Sequence, residues 1–468
     1  MKRPRIAALV LVAAAVVSLS ATQAPGRLAG VNVLLRSPVS QDLLVQLETF
    51  GRVREVIPEI KGVTMLARES DIPAIAGLPF VASASLDQPR SATPILSQAV
   101  TDFSDGLNTW NLDAVNVTDF PTESRVVDED GTGVYVAVLD TGLLRTWPTY
   151  FPADRIATTY ARCFGGGGGN MGFVSTQPNK WEEDQDAHGT HVTSSIIGYS
   201  YFGVVGFNGV APRATIIPVK VLNQNGSGWS SVIARGIVYV ADLKSEELAG
   251  SPVVINMSLG GPRLDPMEEA AIDYAIGQGV IIVAAAGNHG TRGMDYPGAY
   301  EPVISAAASG WTSEWTTPDW WYNLDVADPT NADDFYIEDF SGRAKAGQDL
   351  DVAAPGSWVV GPYQTNGQLS YYFLGGTSMA TPHVSGIVAL MAQKDLELTA
   401  SQAETILETT AVALPAGCRD VTDPSGAVYQ FCWGSDANGA GLAQADTALM
   451  ATPLSMTSMA TLKGGKKK

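Results

Sequence analysis

From Gly133 onward, continuous apolar runs alternate with stretches of helical periodicity. The order is VYVAVLD (134–140), a helix after His188, ATIIPVKVL (214–222), SSVIARGIVYVAD (230–242), PVVINMSLG (252–260), MEEAAIDYAIGQG (267–279) and VIIVAAAGN (280–288). Strands without polar alternation are buried on both faces, and strands separated by helices cannot pair as hairpins. The pattern predicts a mostly parallel sheet covered by helices on both sides. In such sheets the working loops leave the carboxyl ends of the strands. Asp140, Ser258–Gly261 and Asn288 all stand just past the end of an apolar run.

The chemistry-bearing stretch is GGTSMATPHVSG (375–386), where Ser378 follows two glycines and a threonine and precedes an apolar helical run, Met379–Met391. A serine hydroxyl is a poor nucleophile until a base takes its proton and a third group orients that base. Asp140 in VAVLDTG and His188 in HGTHV supply those types. Singly, each has an ordinary reading, a turn aspartate and a histidine near a helix start. Together, in the order Asp, His, Ser, the three motifs resemble the subtilisin family of serine proteases over roughly residues 130–451.

The resemblance implies an α/β, three-layer, subtilisin-like fold and a serine endopeptidase whose catalytic residues are Asp140, His188 and Ser378. It implies Asn288 in the oxyanion hole, with the Ser378 N–H as second donor. Gly226, Ser227 and Gly228, with Ser258, Leu259, Gly260 and Gly261, would flank an extended peptide substrate. The second segment and Ala285, Ala286 and Gly287 would wall the pocket for the residue before the cut. Asp295, just ahead of Tyr296 and Pro297, takes a position that is often small in the family. An inward carboxylate there would favour Arg or Lys; it can instead turn outward or hold a cation. Arg90, near where a propeptide should end, would suit self-cleavage after it. His191 and His383 are expected to be packing histidines.

Residues 31–88 alternate strands and helices in the order of a split βαβ sandwich, an α+β, ferredoxin-like unit. By position and size it resembles the family's propeptide, a folding template and then an inhibitor. The domain reading is therefore a signal peptide over 1–24, a propeptide over 25–93, a catalytic domain over 94–452 and a flexible basic tail over 453–468. Lys2, Arg3 and Arg5 before an apolar run suggest secretion, with an uncleaved membrane anchor as the alternative. A net charge of -19 argues against nucleic-acid partners. The expected partners are polypeptide substrates and the chain's own propeptide, and the expected state is a monomer.

Cys418 and Cys432 flank a short polar loop and can close a disulfide, leaving Cys163 over. No cofactor is expected for the chemical step. The family's strong calcium site is not matched, because the corresponding stretches read WPTYF and GYSYFGVVG and lack the oxygen ligands Ca²⁺ takes. Calcium elsewhere stays open. The insertion Gly310–Asp339, acidic and carrying Trp311, Trp315, Trp320 and Trp321, could hold it, or form a substrate-recognition rim or partner surface. Rival readings are a non-catalytic binding protein on the same fold and a dedicated processing protease.

Overall fold

A computed structural model describes residues 27–91, 96–99, 108–120, 124–165, 173–203, 205–365 and 367–454. The expected signal peptide and nearly all of the basic tail lie outside the described residues. No helix among the described residues is long and apolar enough to cross a membrane.

The central sheet has eight strands in the spatial order Arg162–Cys163, Thr215–Lys220, Tyr135–Asp140, Val253–Met257, Val280–Ala285, Ile304–Trp311, with Val352–Pro355 and Phe335–Ile337 both paired to Ile304–Trp311. All pairings are parallel except that of Phe335–Ile337. Alternate side chains of each strand feed two separate cores. Val136, Val138 and Val254 pack with Val192 of helix His188–Ile197 and Val384 and Val388 of helix Thr377–Lys394. Ala137, Leu139 and Ile255 face the other way, onto Val232 and Ile237 of helix Ser230–Ser245 and Ile272 of helix Pro266–Gly277. The predicted three layers follow directly, since these central strands bury side chains against helices on both faces.

The first part of the chain forms a separate four-stranded antiparallel sheet. Strands Leu28–Leu35, Gly51–Ile57, Gly62–Arg68 and Val81–Leu86 lie in the order second, third, first, fourth, with helices Gln41–Glu48 and Ile72–Ala76 between them in sequence. This is the ferredoxin-like order. The small core includes Val31, Val33, Leu47, Val63, Met65, Ile75 and Val81.

That unit docks over the N-termini of helices Ser230–Ser245 and Pro266–Gly277. The Asp87 carboxylate accepts from the Ser231 N–H at 3.0 Å and the Ser231 hydroxyl at 2.6 Å, at the start of one helix. Asp265 caps the other by accepting from the Met267 N–H at 2.8 Å, and Asn32 donates to its second oxygen at 3.1 Å. Helix N-termini carry unpaired N–H groups and a positive dipole end, so carboxylates are the groups that satisfy them. The chain then continues as strand Pro89–Ser91, antiparallel to Ser227–Trp229, and strand Leu96–Ala99, antiparallel to Gln368–Gly375.

The sequence left the role of the tryptophan-rich insertion open between a calcium site, a recognition rim and a partner surface. Trp311, Trp320 and Trp321 are buried, and they pack on Trp110 and Phe373 rather than forming a rim. Large indole surfaces gain more from burial in the main core than from exposure. Cys418 and Cys432 face each other across hairpin Gly417–Thr422/Val428–Trp433 and are joined as a disulfide. Cys163 is a buried free thiol whose pKa burial pushes up.

Candidate active site

Strand Tyr135–Asp140 ends with its last carboxylate aimed at the first residue of helix His188–Ile197. The Nδ1–H of His188 donates to both Asp140 oxygens, at 2.9 and 3.0 Å. Both side chains are fully buried. Burial works against a charged His188, but Asp140, with Asp186 and Asp184 behind it, outweighs this and raises the pKa above the ordinary value.

Ser378 stands in the first turn of helix Thr377–Lys394. Its Oγ donates to the Ser258 carbonyl at 3.2 Å, while His188 Nε2 has no partner among the described residues. The serine–histidine hydrogen bond is thus not formed in this conformation. Catalytic hydrogen bonds are often long or absent until a substrate is seated. Ser258 holds the serine's backbone in turn, its Oγ donating to the Ser378 carbonyl at 2.8 Å.

Asn288 lies beside this turn. Its Oδ1 accepts from the Thr377 N–H at 2.9 Å and the Thr377 hydroxyl at 3.0 Å. Those bonds fix the amide and leave Nδ2 as the group able to donate into the cavity. The Ser378 N–H is in a helical first turn, where no intrahelical acceptor exists. Two donors therefore flank the space above the serine.

A cavity of about 280 Å³ opens beside Ser378, lined by Leu259, Gly260, Ala285, Gly287, Asn288 and Asp295, among others. Asp295 points inward. A Cβ on Gly287 would meet its carboxylate at 2.7 Å and one on Gly260 would meet its Cβ at 2.8 Å, so the two glycines make room for it. Its Oδ2 lies 3.4 Å from Nε2 of the half-exposed His289. Desolvation raises the Asp295 pKa, while His289, Arg90 and Arg292 pull the other way.

The first of the two expected flanking segments, Gly226–Gly228, meets an extended strand through Ser227 and Gly228, and the occupant is the chain's own segment 89–91. Arg90 is the surprise. Its guanidinium does not enter the Asp295 cavity but lies fully buried against Glu268. Sequence reading passed over Glu268, because a glutamate in the first turn of a helix is an ordinary partner of the helix dipole.

The other histidines are engaged elsewhere. His191 donates through Nε2 to the Val359 carbonyl at 3.1 Å, and His383 bonds Met379 O and Asn111. Burial holds their pKa values down at about 3 and about 4, so both are neutral. At the stretches that correspond to the family's strong calcium site, Tyr150, Tyr199 and Tyr201 form an aromatic cluster with Phe207 and Tyr371, and the described residues lining the cavity there include no carboxylate. Carboxylates gather instead at Asp113, Asp119 and Asp325, and at Asp349, Asp351 and Glu404.

A sequence model of the subtilase family matches residues 131–443. Subtilisin DY from Bacillus licheniformis is 33% identical over 288 residues, spanning 61% of this chain and 85% of that protein. Thermitase from Thermoactinomyces vulgaris is 31% identical over 285 residues, 60% of this chain and 82% of its own. Among solved structures, sphericase superposes with a TM-score of 0.54 at 28% identity, covering 73% of this chain and 99% of that one. Fervidolysin from Fervidobacterium pennivorans reaches a TM-score of 0.63 over 92% of this chain and 62% of its own, and at 24% identity it speaks for the fold alone. Enzymes of this family hydrolyse polypeptides through an Asp-His-Ser triad without a catalytic cofactor. With the three motifs, the parallel sheet and the matched region in agreement, the chain belongs to the subtilase family and is a serine-type endopeptidase.

Proposed function

We propose that the chain is the precursor of a secreted endopeptidase that frees itself from its own N-terminal unit. Ser378 Oγ attacks the scissile carbonyl while His188 Nε2 takes its proton and later returns it to the leaving amine. Asp140 keeps the imidazole in the tautomer with Nδ1 protonated and stabilises the imidazolium. Asn288 Nδ2 and the Ser378 N–H receive the developing oxyanion. A water then hydrolyses the acyl-enzyme by the same proton traffic in reverse.

One observation carries the precursor reading. Strand Pro89–Ser91 lies along Ser227–Trp229, and Leu96 is already opposite Gly375, three residues before Ser378. The chain between Ser91 and Leu96 must join these two positions, and the self-cleavage bond belongs in that interval. On this reading residues 25–93 act as template and inhibitor. Asp295 gives the cavity beside Ser378 a carboxylate wall, which favours Arg or Lys immediately before the cut in other polypeptides; the chain's own interval reads Ser-Ala-Thr-Pro-Ile-Leu, so the single intramolecular cut proceeds without that preference.

The test is hydrolysis of casein and of fluorogenic peptides by purified protein. The expected outcome is cleavage that Ser378→Ala and a serine-directed fluorophosphonate both abolish. Cleavage that survives both would overturn the assignment.

A further inference from the structure

Two hydrogen bonds, from Arg90 Nε to Glu268 Oε1 at 3.1 Å and from Arg90 Nη2 to Glu268 Oε2, join a guanidinium edge to a carboxylate in parallel. Nη2 also donates to the Arg263 carbonyl at 3.2 Å, and Nη1 to the Pro89 carbonyl at 2.9 Å. Neither side chain of the pair has any solvent exposure. The socket is shaped for this group. A Cβ on Gly261 would meet the Pro89 carbonyl at 2.5 Å and Arg90 Nη1 at 2.9 Å, so the wall must be glycine for the chain to lie this close.

The strand that brings Arg90 here is held on one side by main-chain pairing, with Arg90 opposite Gly228. Main-chain pairing is indifferent to sequence, so any extended polypeptide laid in the same register would present its own side chain to Glu268. We infer that Glu268 is a specificity-determining residue, and that the enzyme selects substrates with arginine at the position paired opposite Gly228.

This inference rests on the proteolytic reading above and adds a second site of selection to it. The self-cleavage interval runs from Ser91 to Leu96, which puts the selected residue two to six places before the cut. It is therefore distinct from the residue that enters the Asp295 cavity. Lysine is a poor substitute, because one ammonium cannot span both carboxylate oxygens and the Arg263 carbonyl together. Leucine or glutamine would leave a buried carboxylate without its partner.

Mature enzyme is assayed on casein and on peptides with a fixed residue before the cut, in which Arg, Lys, Gln and Leu are placed in turn at each of the second to sixth upstream positions. The expected result is a single position at which Arg raises kcat/KM by about 10- to 150-fold over Leu, the range for a charge-assisted hydrogen bond, with Lys between. Glu268→Leu, expressed together with Arg90→Leu so that the precursor keeps a matched pair, should mature normally, lose the Arg preference and cut the Leu peptide at least as fast as the parent. Arg90→Leu alone should slow maturation, by leaving Glu268 buried and unpaired. If casein is cut but Arg brings no gain at any position, or the gain survives Glu268→Leu, the inference is overturned while the proteolytic reading stands. If neither casein nor any peptide is cut, both fall.

Discussion

Two carboxylates are set among glycines along the same cleft, and they differ in what faces them. Glu268 meets a guanidinium in a socket closed to water, with both oxygens hydrogen-bonded. Asp295 looks into an open cavity beside Ser378 and, among the described residues, has only the half-exposed His289 within ion-pair distance. Desolvation raises the pKa of both, and in both the largest opposing influence is the basic side chain that faces the carboxylate: Arg90 for Glu268, His289 for Asp295. The difference teaches where selectivity resides. A closed socket that a ligand must complete can discriminate strongly, because the wrong side chain strands a buried charge. An open one, which water can enter, can only bias.

The comparison can be broken most forcefully at the reaction centre, which the two pockets flank. Asn288→Ala removes an oxyanion donor common to every substrate. It should cut kcat by about 10²- to 10³-fold, the order known for the corresponding donor of subtilisin, and by the same factor for peptides with or without the upstream arginine. Loss confined to one peptide class would mean that Asn288 acts in binding instead. A smaller effect is expected at Asp295. Asp295→Asn should lower kcat/KM for Arg or Lys immediately before the cut by roughly 10-fold, less than the loss at Glu268, while leaving a Leu or Phe substrate within about twofold. An equal loss on all substrates would assign Asp295 to folding of the cavity wall.

The smallest effect is a displacement on the pH axis. His188 must be neutral to act as base, and its pKa is raised above the ordinary imidazole value of 6.5. The acid limb of kcat/KM should therefore lie above that value, activity falling as pH drops through it. The limb should be the same for substrates that fill the Glu268 socket and those that do not. A limb well below pH 6 would contradict the Asp140–His188 geometry.

Much of this was legible in the chain itself. The apolar runs placed the parallel sheet, because strands buried on both faces cannot hide their composition, and Asp140, His188, Asn288 and Ser378 each sat in a motif at a strand or helix end. Asp295 was found for the same reason, being adjacent to such a motif. Glu268 was not. Its partner is 178 residues away, and a glutamate in the first turn of a helix has an ordinary reading of its own. The only sequence hint was Arg90, and it was matched to the wrong carboxylate, since nothing local says that the segment's register puts it opposite Gly228. The role of the insertion's tryptophans stayed open in the sequence for a similar reason: Trp320 closes over Trp110 and Phe373, contacts that depend on tertiary packing alone.

The central claim is that Ser378 cuts its own chain as that chain crosses the cleft. N-terminal sequencing of the product from the parent and from Ser378→Ala, expressed side by side, tests it most directly. The account predicts a parent whose first residue falls between Ala92 and Leu96 and a variant still joined to its N-terminal unit. Equal processing of both chains would contradict it, and would mean that another protease makes the cut.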